Sequence, residues 1–171
     1  MDTFFEQIIP IRKNGKSIAL TLGIWFLALL LSAIIYLFLL KYLFGIAFFI
    51  ICGIFFGAWK LSTMFNIEYE YIITNGTMDI DKIVNKSSRK RMLSLELNNV
   101  TRLEKFNPHM LNTLNPKSLV MACNQDDPEA YLLVAERDGK DAAYLVFAPE
   151  ERLRTAMTKF VPKFIINSAF K

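Results

Sequence analysis

Neither of the two long apolar runs of this 171-residue chain contains an acidic residue or a histidine, the usual marks of proton or ion coupling inside a membrane. Cysteine occurs twice, Cys52 in the second apolar run and Cys123 far from it. That is too few for a disulfide framework, and both are expected as free thiols in a reducing compartment. The one histidine, His109, lies between Pro108 and Met110 with no Ser or Cys partner in any motif, and Cys123 reads as a small core residue. C-x-x-C, H-E-x-x-H and glycine-rich phosphate loops are absent. No catalytic residue, metal ligand or cofactor is therefore expected, and the chain is read as non-enzymatic. A basic surplus is missing too: from Asn66 onward fifteen Lys and Arg face fourteen Asp and Glu, which argues against a nucleic-acid partner.

What is present is hydrophobic length. Ser17 to Leu40 runs 24 positions without a charge, enough helix at about 1.5 Å per residue to cross a hydrocarbon core of about 30 Å. Tyr42 to Trp59 is a second uncharged run, which extends to Met64 if Lys60 snorkels to the interface. Residues 17–65 thus read as two transmembrane helices, 17–40 and 42–64, in a bilayer. Gly23 and Ala28 on the first and Gly53 and Gly57 on the second are the small residues expected to let the helices approach, and Gly53 and Gly57 alternatively suit a contact between copies. Arg12, Lys13 and Lys16 precede the first span and Lys60 closes the second, with Lys41 alone between them. The positive-inside bias then places both termini in the cytoplasm of a multi-pass cell-membrane protein, with Tyr36 and Tyr42 near the outer interface and Trp59 near the inner one. In residues 1–16, Phe4, Phe5, Ile8 and Ile9 fit one face of a short helix ahead of the basic cluster, as in a segment lying on the membrane surface.

After Asn66 the period changes from helical to alternating. Ile67 to Ile73 and Met78 to Val84 flank Asn75-Gly76, a strong hairpin signal because a type I′ turn needs positive φ at both central residues. Tyr69, Tyr71, Ile73, Met78 and Ile80 share the face expected inward. Glu70 and Asp81 oppose each other on the other face with Glu68 and Asp79 nearby, which calls for neutralisation by Arg89, Lys90 or Arg91. Further strands are expected at Arg91–Leu97, Val100–Phe106, Leu119–Cys123, Ala130–Glu136 and Ala142–Phe147, an irregular loop over 107–117, and a helix from Pro149 to about Lys159. Lys82, Lys86, Arg89, Lys90 and Arg91 bracket the turn after the second of these strands. They are the candidate binding residues, for anionic lipid head groups or a membrane-protein partner.

Seven strands and a closing helix form the element list of a pleckstrin-homology-like barrel. The run Tyr69-x-Tyr71-Ile72-Ile73-Thr74-Asn75-Gly76, an alternating strand, a basic turn and Leu93-x-Leu95-x-x-x-x-Val100 resemble the opening of bacterial PH-like domains. The whole chain, with its Met1-Asp2-Thr3-Phe4-Phe5-Glu6-Gln7 start, is similar to a family of small two-span bacterial membrane proteins carrying such a domain. The resemblance implies an α+β architecture: an N-terminal transmembrane helical hairpin, then a PH-like antiparallel barrel over 66–171 with a C-terminal helix. It brings no catalytic residues with it. The expected role is a membrane-anchored interaction module at the cytoplasmic face. The alternatives are a small-molecule-binding or enzymatic barrel and an accessory subunit of a membrane complex.

Overall fold

Phe5, Gln7 and Ile9 alternate with Phe4, Glu6 and Ile8, and in the computed structural model this segment is a strand, β1 (Phe4–Pro10). It is not the amphipathic helix expected of residues 1–16. The pairs Phe4-Phe5 and Ile8-Ile9 satisfy a helical spacing and a two-residue period equally, and Gln7, buried between Phe5 and Ile9, decides for the second. The structure describes residues 3–39, 44–114, 116, 118–124, 126–137 and 139–170. Lys41, Tyr42 and the start of the second expected span lie outside them. The helices that follow β1 are α1 (Gly15–Leu39) and α2 (Phe44–Thr63). Next come β2 (Ile67–Thr74), β3 (Thr77–Val84), β4 (Ser88–Glu96), a 3₁₀ turn at Leu97–Asn99 and β5 (Val100–Lys105). The chain ends with α3 (His109–Leu114), β6 (Leu119–Met121), β7 (Tyr131–Arg137), β8 (Lys140–Phe147), α4 (Glu151–Met157) and α5 (Lys163–Ala169).

All seven strands expected after Asn66 are there, and β1 is an eighth. Contacts divide the chain into two units: Met1–Ile11, Glu68–Ile83 and Ser88–Lys171 in one, Arg12–Ile67 with Val84–Ser87 in the other. The first unit thus takes in the N-terminal strand as well as the region expected from residue 66. It holds two four-stranded sheets, ordered β1-β2-β3-β4 and β5-β7-β8-β6. Most of the second sheet is antiparallel, but β6 runs parallel to β8, Leu119 opposite Tyr144. Tyr71, Ile73, Met78 and Ile80 from the first sheet meet Leu133, Leu145 and Phe147 from the second in one core, and Leu153, Met157 and Ile165 of α4 and α5 close over it. At the turn between β2 and β3, Asn75 and Gly76 take φ of 49° and 93°, the left-handed pair such a hairpin requires. A Cβ on Gly76 would come within 3.1 Å of the Phe160 ring, so this glycine also admits the residues after α4.

Two polar ties fasten this unit. Gln7 Nε2 donates to the Ala148 carbonyl at 3.0 Å while Gln7 Oε1 accepts from Glu150 N–H at 3.0 Å, pinning β1 to the segment between β8 and α4. Tyr71 Oη donates to the Ala122 carbonyl at 2.7 Å, and its ring meets Phe147 edge-on. The expected loop over 107–117 contains α3 instead. Asn107 Oδ1 accepts from His109 N–H, which lets a helix start directly after Pro108, and Met110 and Leu114 then cover Leu132 and Val146. The apolar tail after Pro162 is α5, with Pro162 in the capping position.

In the second unit, α1 and α2 form the expected hairpin, and both are long and apolar enough to cross a membrane. Their contact runs along Ala28 and Ser32 on α1 and Ala47 and Ala58 on α2, all buried, with Trp25 against Phe55. Of the small residues expected at that contact, Ala28 is in it and the glycines are not: a Cβ at Gly23, Gly53 or Gly57 would meet nothing within 4 Å. Ala58→Leu should therefore force the helices apart and lower stability by about 1–3 kcal/mol, whereas Gly53→Ala should leave it unchanged or slightly raised. Thermal unfolding of the full chain in detergent micelles reads both. Equal losses in the two variants would contradict this packing.

Candidate functional site

Strand alternation sends Tyr69, Tyr71 and Ile73 of β2 toward the core and Glu68, Glu70 and Ile72 away from it, and does the same on β3 for Asp79 and Asp81. The outer face of the first sheet should therefore be solvated. Yet Glu70 is fully buried and Asp81 is 3% exposed. Part of their cover comes from β4. Arg89 Nη2 lies 2.8 Å from Glu70 Oε1, and Arg91 pairs with Asp81 through Nε and with Asp79 through Nη1 at 2.6 Å. Ser94 Oγ completes the row, donating to Asp79 Oδ1 at 2.6 Å. Among the described residues no cluster of acidic, His or Cys side chains has the geometry of a metal centre.

This resolves the five basic residues singled out around the β3–β4 turn into two groups. Arg89 and Arg91 neutralise the carboxylates of the sheet face. Lys82 is half-buried on β3, Lys86 is exposed in the turn and Lys90 is exposed on β4, and none of the three has an ion pair among the described residues. Lys86 follows Asn85 in a turn where both take positive φ, 52° and 54°. A lysine there gains nothing from its backbone conformation, which suits Asn or Gly.

Glu6 is the member of the charged face that sequence reading missed. Paired with Ile72 across β1 and β2, it lies diagonally beside Glu70, the partner of Ile8. Burial raises the Glu70 carboxyl above its usual range. The neighbouring Glu6 carboxyl raises it further, and Arg89 only partly opposes this. The signal for Glu6 was the alternation of residues 4–9, legible once that segment is aligned as a strand.

His109 and Cys123 have structural settings. His109 is exposed at the start of α3. Cys123 packs with Ala130, Leu132 and Val146, and burial pushes its thiol up to about 12, so it stays protonated at neutral pH.

Two outcomes test this face. Arg89→Ala leaves the Glu70 carboxylate buried without its cation and should cost about 3 kcal/mol, the lower end for a broken buried pair because Arg89 itself is half exposed. For pH, the Glu70 value in the folded protein lies above its ordinary 4.5, so its stabilising contribution is complete below pH 4.5 and is lost as pH rises through the folded value. Glu6→Gln removes the neighbouring carboxylate that raises Glu70 and puts an amide N–H donor in its place. It should match the parent near pH 4 and exceed it by about 1 kcal/mol at pH 7, and a difference constant across that range would contradict the coupling of the two carboxyls.

Among known proteins, residues 1–167 match the family described as Bacterial PH-like domain (DUF6106), whereas no curated protein and no solved structure matches the chain.

Proposed function

The chain belongs to that family over nearly its whole length, and on this premise we propose that it is a membrane-anchored, non-enzymatic interaction module working at the cytoplasmic face of the cell membrane. The observation that carries the reading is the pairing of β1 with β2, unbroken from Phe4 opposite Thr74 to Pro10 opposite Glu68, although the whole apolar hairpin is inserted between them in the chain. Two hydrogen-bonded strands cannot be divided by a bilayer. If α1 and α2 span, both ends of the hairpin emerge on one side, and the domain is tethered there twice, through Ile11–Asn14 and through Met64–Asn66. Arg12, Lys13, Lys16 and Lys60 at those ends, against Lys41 alone in the connection, favour the cytoplasm for that side.

A module of this kind recognises a protein or lipid at the membrane surface. The residues that an enzymatic barrel would have used favour the non-enzymatic reading. Glu70 and Asp81 are committed to Arg89 and Arg91, and the Cys123 thiol is held neutral in an apolar cluster.

The buried Cys123 is a poor topology reporter, so the test uses Cys52→Ala and Cys123→Ala as background and places single cysteines at exposed Phe4 and Glu136. Both should react with a membrane-impermeant maleimide only after the cells are permeabilised. Labelling of Glu136→Cys in intact cells would overturn the cytoplasmic assignment, and labelling of one site without the other would overturn the shared side.

A further inference from the structure

Formal charge is divided unequally between the two units. Residues 12–67 and 84–87 hold Arg12, Lys13, Lys16, Lys41, Lys60 and Lys86 and no acidic residue at all. Apart from Lys41, these cations belong to one end of the hairpin. Lys13 precedes the Asn14 cap of α1, whose Oδ1 accepts from Ser17 N–H at 2.9 Å, and Lys16 is in the first turn. Lys60 is in the last turn of α2, the antiparallel neighbour, one residue after the exposed Trp59. Lys86 reaches the same end from a distant part of the chain. Past α2, Asn66 N–H donates to the Thr63 carbonyl, and the Asn66 carbonyl accepts from Asn85 N–H at 2.8 Å. That bond fixes the turn Val84–Ser87 at the foot of α2, with Lys86 exposed at its tip in a backbone conformation that lysine does not favour.

We infer that Lys13, Lys16, Lys60 and Lys86 form one cationic collar that binds the head groups of anionic phospholipids in the leaflet at that end of the hairpin, with Lys86 supplied by the β3–β4 turn. The inference deepens the proposed function and rests on its reading of α1 and α2 as membrane spans. Charge complementarity selects the occupant. The collar has no acidic neighbour within its unit to neutralise it, it flanks an apolar hairpin of membrane-spanning length, and Trp59 supplies the amphipathic ring that favours the head-group level. Arg89 and Arg91, which the sequence grouped with Lys86, are spent on Glu70, Asp79 and Asp81 and take no part.

The test reconstitutes the full chain in phosphatidylcholine vesicles carrying a trace of spin-labelled phosphatidylglycerol or spin-labelled phosphatidylcholine, and measures the motionally restricted fraction of each label. Phosphatidylglycerol should be preferred. The preference should fall with added salt, and Lys86→Gln should lower it roughly two- to five-fold, the share of a single basic residue at a charged surface. Lys86→Arg should restore it, and Lys90→Gln should leave it unchanged. Restricted lipid with no preference between the two labels, or a preference lost in Lys13→Gln/Lys16→Gln but untouched by Lys86→Gln, would overturn the collar while leaving the spans intact. Absence of restricted lipid for either label would overturn the membrane-spanning reading beneath it.

Discussion

The pairing of β1 with β2 is the constraint on which the rest of the structure depends. The two strands meet residue for residue, yet the chain between them is a pair of apolar helices. Closing a long loop costs entropy that grows only slowly with its length, and here the loop is already organised by its own helix contact. The hairpin can be regarded as the connection between the first two strands of a sheet, enlarged until it is long enough to cross a membrane. Gln7 turns that pairing into a tertiary anchor: its amide satisfies both Ala148 and Glu150, so β1 also holds the approach to α4. A buried amide bonded through both its nitrogen and its oxygen is worth more to specificity than to net stability, because any other register would leave those atoms unmet.

The same pairing explains why the charged face is buried. Without β1, Glu70 would stand on an edge strand beside water. With β1 in place it lies between Ile8 and Glu6 on one side and Asp81 on the other, and burial raises its carboxyl, which Arg89 only partly opposes. Arg89 and Arg91 serve as structural cations here. That narrows the residues available for recognition more than a count of basic side chains suggests.

Much of the fold was legible because its signals are local. Two uncharged runs of membrane length, the Asn75-Gly76 turn and the alternation of β2 and β3 on either side of it reach the same answer in sequence and structure. What escaped depends on distant partners. Phe4 to Ile9 fits two periods, and only pairing with Tyr71 and its neighbours selects the strand. The helix at His109 rests on an Asn107 cap within six residues, too short for a periodic signal. In the hairpin, Gly53 and Gly57 match a known close-contact spacing, but helices meet on one face only. The face used is that of Ala47 and Ala58, whose methyl groups give dispersion contact that a glycine lacks. For the candidate site, the basic turn and the neutralisation of the acidic face by Arg89, Lys90 or Arg91 were legible in sequence, whereas the choice of Arg89 and Arg91 over Lys90 was not, since it follows from which carboxylates the sheet brings within reach.

The overall charge of +4 then acquires a different meaning. The hairpin unit, with six cations and no anion, contributes +6, so the unit containing both sheets carries fourteen Lys and Arg against sixteen Asp and Glu, a formal −2. A division at residue 66 conceals this, because it assigns Asp2 and Glu6 to the hairpin and Lys86 to the domain. An acidic domain would be repelled by an anionic leaflet if it met it broadside, while the ends of α1 and α2 and the β3–β4 turn would be drawn toward it. Screening confines both effects to about a Debye length, near 8 Å at physiological salt. If the collar meets lipid as proposed, electrostatic attraction would therefore be confined to it, and the acidic surfaces of the two sheets would be held off the leaflet.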